Sequence, residues 1–485
     1  MINPFRFTYA LRRVCKTLKR SVRHRTLCPT SFERDYSSAL YVSGKVASKS
    51  FAYLSPYIDV DERFANLEQL QEEIALRGMD VDVVQLKKAW DFYRKMIADK
   101  CALEDNNSEL GSRMKTLLEN TELTAEQKQK EEVKLRTQLT VIRQDMKTMK
   151  EAIWDLDEDV VVKILKLPNE LDPRTPIDKP VVLKSVGSAL ELSEKSRKSH
   201  IDIGTSLGLL EYKNPMHCYL TNDAALFELA VLAHAGRILG EDEKTVRMIG
   251  ADFSRSFVVE GSGLNHEDPT AAFIIENHNE VERGSPNRMH LVGGASLTSF
   301  LGLHTKQLIN PNDFPLKYFA TGRQYTPLPQ DLHACGLFTV CQASVAHTFA
   351  MVKNAKDEDY KTQFDNLLET VCRLYDDLHC HYRVVMRPAS ELQPWESLRV
   401  SFEMWSPFAS QYIEIGHISA SGNYFSKRLL IAYQTPNGRD FPAVISGTVL
   451  SVPRLLACLL EQNPDKFVIP SKVAELVPSD DRIAM

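Results

Sequence analysis

From Leu135 to Leu156 the apolar residues Leu135, Leu139, Ile142, Met146, Met149, Ile153 and Leu156 recur at alternating steps of four and three. That is the seam a helix needs to lie along another helix at a shallow angle. Upstream, Ala89, Tyr93, Met96, Leu103, Leu110, Met114 and Leu117 keep the same seven-residue frame, interrupted by Lys100 and Asn107. The polar stretch from Glu119 to Lys128 is where the chain reverses, so the pattern predicts an antiparallel two-helix coiled-coil arm. Pro168, Pro173 and Pro176 end it, because proline removes a donor and clashes with the preceding turn. The arm with its approaches occupies 55–167, and 177–485 reads as a mixed α/β (α+β) globular domain.

The first 32 residues follow a different pattern. Arg6, Arg12, Arg13, Lys16, Lys19, Arg20, Arg23 and Arg25 occur with no Asp or Glu before Glu33. Phe5, Phe7, Tyr9, Leu11, Val14 and Leu18 can share the apolar side of a short helix. An acid-free, Arg-rich amphipathic start is the composition of a mitochondrial transit peptide. Arg34-Asp35-Tyr36 before Ser37-Ser38 resembles a matrix-protease site, which sets the leader at 1–36 and the destination as the mitochondrial matrix. The competing reading is a basic arm that binds nucleic acid.

Composition narrows the class. The chain has 485 residues, 43% hydrophobic and 25% charged, as ordinary globular proteins do. Its net charge of -5 argues against a surface that grips nucleic acid all over, and leaves room for a local basic face. Nine cysteines occur without a CxxC pair, so neither a disulfide framework nor a metal site is indicated. No apolar run approaches the roughly 20 residues that cross a bilayer, so membrane insertion is not expected. On the arm, Lys115, Lys128, Lys130, Lys134, Arg136, Arg143, Lys147 and Lys150 are placed to meet phosphates. Glu119, Glu122, Glu126, Glu131, Glu132 and Asp145 are interspersed, so a solvated mixed-charge face is the alternative.

Several segments of the globular part resemble the seryl-tRNA synthetases, a family of class II. Phe402-Glu403-Met404-Trp405-Ser406-Pro407, Tyr412-Ile413-Glu414-Ile415 and Lys427-Arg428-Leu429 are similar to that family's strand-loop-strand. The stretch from Ser446 to Arg454 resembles its third motif, and Phe319 to Tyr325 its second. His200 to Gly204 and Val258 to Gly263 are similar to the segments around its first. The order of arm, linker and sheet domain matches as well. The resemblance implies a class II antiparallel sheet flanked by helices, an arm that holds tRNA, and pairing of subunits through a helix from Asp223 to Leu239. Ile249-Gly250 stands where the interface strand normally has proline.

By this resemblance Arg323 matches the arginine on the α-phosphate, Glu414 the metal-holding glutamate and Arg454 the arginine of the third motif. The other ligand positions are replaced. Gly294 and Ser296 stand for a threonine and a glutamate that grip serine, and Tyr325 for a glutamate. Thr339, on the returning strand, stands for a second arginine, Ala343 for the phenylalanine that stacks on adenine, and Ser344 for a glutamate. Ala420-Ser421-Gly422-Asn423 replaces a polar quartet, and Ser446 an asparagine. Each lost charged contact costs about 2–4 kcal/mol, so several exceed the roughly 8 kcal/mol of a micromolar complex.

The expectation is a catalytically silent paralogue without a cofactor that binds mitochondrial tRNA, with tRNA-Ser first in line, or another mitochondrial RNA. Its partner would be the mitochondrial seryl-tRNA synthetase in a heterodimer, or a second copy in a homodimer. The alternative is an ATP-dependent class II ligase of altered acid specificity. A third reading is an arm that binds proteins or DNA.

Overall fold

The computed structural model describes residues 38–40, 54, 56–119, 124–156, 160–190, 197–275, 288–328, 335–354 and 358–478. The leader expected at 1–36 lies outside these residues.

Helices α2 (Val83–Glu119) and α3 (Ala125–Leu156) form the arm, and at 1.5 Å per residue α2 is about 55 Å long. The chain reverses between them where the polar stretch predicts. Leu117, Leu135, Leu139 and Ile153 are buried, and the other residues of both seams are buried or half-buried. Lys100 and Asn107 are half-buried on the same seam, and the Asn107 Oδ1 there has no hydrogen-bond partner.

The arm joins the globular domain through a fixed joint. Arg77, in the cap of helix α1 (Leu67–Leu76), donates to the carbonyls of Asn169, Gln393 and Glu396 at 2.9, 3.0 and 2.7 Å. Asn169 Nδ2 donates to Trp395 and Ser421, and Arg428 donates to the Leu165 carbonyl at 3.0 Å. Burial lowers the Arg77 pKa to about 10, with Glu73 and Glu396 opposing. The prolines therefore sit in a segment whose carbonyls are gripped from both sides.

The globular domain is built on one eight-stranded sheet. Its strands are β1 (Val181–Val186), β2 (Thr245–Arg247), β3 (Leu316–Tyr325), β4 (Gln342–Val352), β5 (Tyr382–Met386), β6 (Leu398–Ser406), β7 (Gln411–Gly422) and β8 (Ala443–Ser451). Their spatial order is β1-β5-β6-β7-β8-β4-β3-β2, and all neighbours are antiparallel except β2 with β3. Helices α4 (His200–Ser206), α5 (Asn222–Leu239), α8 (Glu358–Asp376) and α10 (Val452–Gln462) pack over one face. Phe227, Val231, Phe364, Leu374, Leu455 and Leu456 form the core there. On the other face, α6 (Ser256–Gly261), α7 (Leu297–His304) and α9 (Tyr424–Leu429) close a second core around Phe300, Phe349, Phe425 and Leu429. Sequence alternation assigns the faces: in β6, Leu398, Val400, Phe402 and Met404 point to the first core, which leaves Arg399, Ser401 and Glu403 on the opposite side. Gly447 lets β8 approach β7, because a Cβ there would collide with the His417 carbonyl.

Candidate functional site

Strands β5, β6 and β7 present their polar sides together, away from the first helical core. Glu403 accepts from Arg383 Nε at 2.5 Å and is also bound by Arg387. Arg387 reaches Ser401 Oγ at 3.0 Å and approaches Glu414 at 3.8 Å. Glu414 accepts from Arg399 at 2.5 Å and from Ser401 at 2.6 Å, with His417 at 3.4 Å. Glu396 accepts from Arg399 at 3.1 Å, from Ser419 at 2.5 Å and from the Gln393 N–H at 2.8 Å. Three carboxylates thus face three arginines and one histidine in a closed network. Burial opposes ionisation of Glu414, yet Arg399, His417 and Arg387 hold its carboxyl well below the usual range. Burial likewise penalises the Arg399 cation, and Glu396 and Glu414 overcome it and raise its pKa.

Arg454 adjoins this network from α10. Its Nε donates to the Phe338 carbonyl at 3.1 Å and its terminal nitrogen to the Glu414 carbonyl at 3.0 Å. Burial lowers its pKa, with Glu414 opposing. Phe338 belongs to a buried turn fixed by His200, whose Nε2 accepts the Leu337 N–H at 3.0 Å while its Nδ1 meets Glu461 at 2.7 Å. The returning strand begins at Gln342, so Thr339 lies before the strand on which it was expected. Its hydroxyl is buried and lacks a hydrogen-bond partner.

Arg323 forms no hydrogen bond or ion pair with Glu414 or Arg454. Arg323 pairs across the ladder with Ser344, which shares its side of the strand with the core residues Ala346 and Ala350. Both turn to Glu228 of α5: Ser344 donates at 2.7 Å and Arg323 lies at 3.2 Å. The other replaced positions also have local duties. Ser296 caps α7 and donates to the Gly293 carbonyl at 2.6 Å. The Gly294 N–H donates to Asp252 at 2.8 Å. Tyr325 N–H donates to the Val292 carbonyl at 3.2 Å. Ala343 is half-buried against the second core, and Ser446 is buried in register with Phe349 and Ser419.

Sequence reasoning missed His347, Arg387, Arg399 and Glu396. His347 meets Thr448 Oγ1 at 3.0 Å and lies within 5.7 Å of the Phe300 ring. Burial, helped by His417, pulls its pKa down to about 3, so the ring is neutral at physiological pH. The signal for the network was present: Arg399, Ser401 and Glu403 alternate with apolar residues, as one polar side of a strand does.

On the arm, Lys115, Lys130, Lys134, Arg136, Arg143, Lys147 and Lys150 are exposed and Lys128 is half-buried. Arg136 pairs with Glu132 at 2.6 Å, Lys150 lies 5.0 Å over the Trp154 ring, and Lys128 donates to the Leu118 carbonyl at 2.7 Å. Among the described residues no group of three His, Cys, Asp or Glu is placed to hold a metal ion, and no helix is long and apolar enough to cross a membrane.

Residues 281–463 match the tRNA synthetase class II core domain (G, H, P, S and T). The chain is 27% identical over 430 residues to the serine–tRNA synthetase-like protein Slimp of Drosophila melanogaster, covering 88% of this chain and 89% of that protein. It is 23% identical over 481 residues to the mitochondrial serine–tRNA ligase of Mus musculus, covering 94% and 90%. Among solved structures, the seryl-tRNA synthetase of Pyrococcus horikoshii complexed with ATP superposes with a TM-score of 0.71 at 18% identity, covering 87% of this chain and all of that one.

Proposed function

We propose that this chain, which carries a class II tRNA synthetase core domain in the seryl-tRNA synthetase fold, is a non-catalytic RNA-binding subunit of mitochondria. Glu414 carries the reading. A carboxylate that coordinates Mg²⁺ offers its oxygens to the metal, whereas both Glu414 oxygens are bound by Arg399 and Ser401. Arg454 is spent on two carbonyls and Arg323 on Glu228. Among the described residues Arg323, Arg399 and Arg454 are thus engaged within the protein rather than as a bracket of cations for a triphosphate, and on this reading the chain binds neither ATP nor serine productively. Its arm supplies the RNA contact through exposed lysines and arginines, and mitochondrial tRNA-Ser is the first candidate ligand.

The reading includes a partner. Val246, Ile249 and Phe253, in the segment that follows α5, are exposed, Ile249 at 93%, and a second subunit would cover such apolar side chains. That subunit is the mitochondrial seryl-tRNA synthetase or another copy of this chain, and the mitochondrial relative in mouse favours the same compartment. The test is the native mass of residues 37–485 co-expressed with the seryl-tRNA synthetase of the same mitochondria, with and without tRNA. A complex that retains tRNA supports the proposal, and a monomer that releases it contradicts it.

The alternative, a ligase of altered specificity, draws on the contact between Arg454 and Glu414. ATP binding by calorimetry at millimolar ligand would favour it.

A further inference from the structure

Between the two helices of the arm a groove of about 540 Å³ opens along one flank. The half-buried Leu110 and Ile142 and the exposed Gln138 and Val141 line it. Lys134, Gln138, Val141 and Asp145 follow one another at steps of four, three and four, so they form one row along α3 on the groove side. The row has a direction. Lys134 and Arg113 stand towards the tip of the arm, Asp145 and Glu109 towards the globular domain. Arg113 is paired with Glu109 at 2.7 Å in its own helix, whereas Lys134 and Asp145 make no ion pair among the described residues. Turned end for end, the row matches itself: Lys134 meets the Asp145 of a second copy, and Gln138 its Val141.

We propose that this flank of the arm pairs with the same flank of a second copy, the two arms running antiparallel about a twofold axis. The cations that suit an RNA backbone are placed differently. Arg136, Arg143, Lys147 and Lys150 recur at steps of seven, four and three, about half a turn round α3 from the groove row. Lys134 is not among them, and on the groove flank two cations face two carboxylates, a poor seat for a polyanion. The arms have room to pair. From Leu110 it is about 40 Å back to Val83 and about 14 Å on to Glu119, so each tip stops short of the other copy's globular domain. An overlap of three helical turns buries less than the roughly 1,200 Å² of stable complexes. The pairing is therefore concentration-dependent, and it is separate from any contact through the apolar side chains that follow α5.

The test is sedimentation velocity of the full chain across the micromolar range. The mass should rise with concentration to at least twice that of Val141→Glu, which puts a carboxylate into the uncharged centre of the pairing. Lys134→Glu alone and Asp145→Lys alone should each weaken the association about 10-fold, because each sets like charges opposite one another twice in a pair. Lys134→Glu combined with Asp145→Lys should restore it. All three side chains are exposed, and unchanged far-ultraviolet circular dichroism checks that the arm is intact. A mass equal to that of Val141→Glu at every concentration, single charge variants that behave as the parent, or a combined variant that is not rescued would each overturn the proposal. Loss of tRNA binding in Val141→Glu with no change in mass would give the groove to RNA and overturn it equally.

Discussion

Arg399→Met would remove the cation shared by Glu396 and Glu414 while keeping most of the side-chain volume. Arg399 and Glu414 are 15% and 19% exposed, so solvent replaces little of what is lost. Removing one partner of a buried pair costs about 3–5 kcal/mol, because the remaining charge stays buried. Arg387 at 3.8 Å and His417 at 3.4 Å remain to compensate, which favours the lower end, about 3 kcal/mol.

The pH dependence follows from the direction of the Glu414 shift. Its folded pKa lies below the ordinary 4.5, so in the native protein its stabilisation is present above that value and is lost as pH falls through the folded pKa. Without Arg399 the folded pKa rises, and the carboxyl protonates on mild acidification. The deficit is therefore largest at pH 7 and narrows towards pH 4.5. Denaturant unfolding at both pH values, with the m-value checked, measures it. A loss below about 1 kcal/mol at pH 7, or an equal loss at both values, would refute the closed-network account.

His347, with a pKa of about 3 against an ordinary 6.5, makes the protein lose stability as pH falls below 6.5, because only the unfolded chain takes the proton. Between pH 7 and 5 this amounts to about 2 kcal/mol, and His347→Gln should flatten that part of the stability curve. Arg77→Met should cost about 2–4 kcal/mol by leaving buried carbonyls unpaired. It should also loosen the arm, seen as faster anisotropy decay of a dye on the exposed Cys101. Converting Lys130, Lys134, Arg143 and Lys147 to alanine should weaken tRNA binding and shallow its salt slope by roughly one unit per lost phosphate contact. Unchanged affinity would point to a ligand other than RNA.

The arm was legible because its seam repeats over seven-residue frames and nothing else in the chain competes with that period. The sheet was legible through the class II segments, and α5 lies within one residue of the predicted helix. At the candidate site the sequence displays Arg323, Glu414 and Arg454 but not the partners that hold them. Cross-strand register decides that Arg323 turns to Glu228 while Glu414 turns to Arg399, and register is a long-range property. The buried turn at Leu337 and Phe338 depends on His200 and Glu461, 137 and 124 residues away from Leu337 in sequence. The carbonyl grips of Arg77 and Arg428 likewise join distant segments, so the proline-marked linker did not disclose that it is fixed.

The central proposal is that this protein does not activate an amino acid. Serine-dependent ATP–pyrophosphate exchange by the purified chain tests it most directly, with the mitochondrial seryl-tRNA synthetase as the active control. The account predicts exchange no greater than that without protein, at saturating serine and millimolar ATP. Exchange above that background, lost in Arg454→Ala, would contradict it.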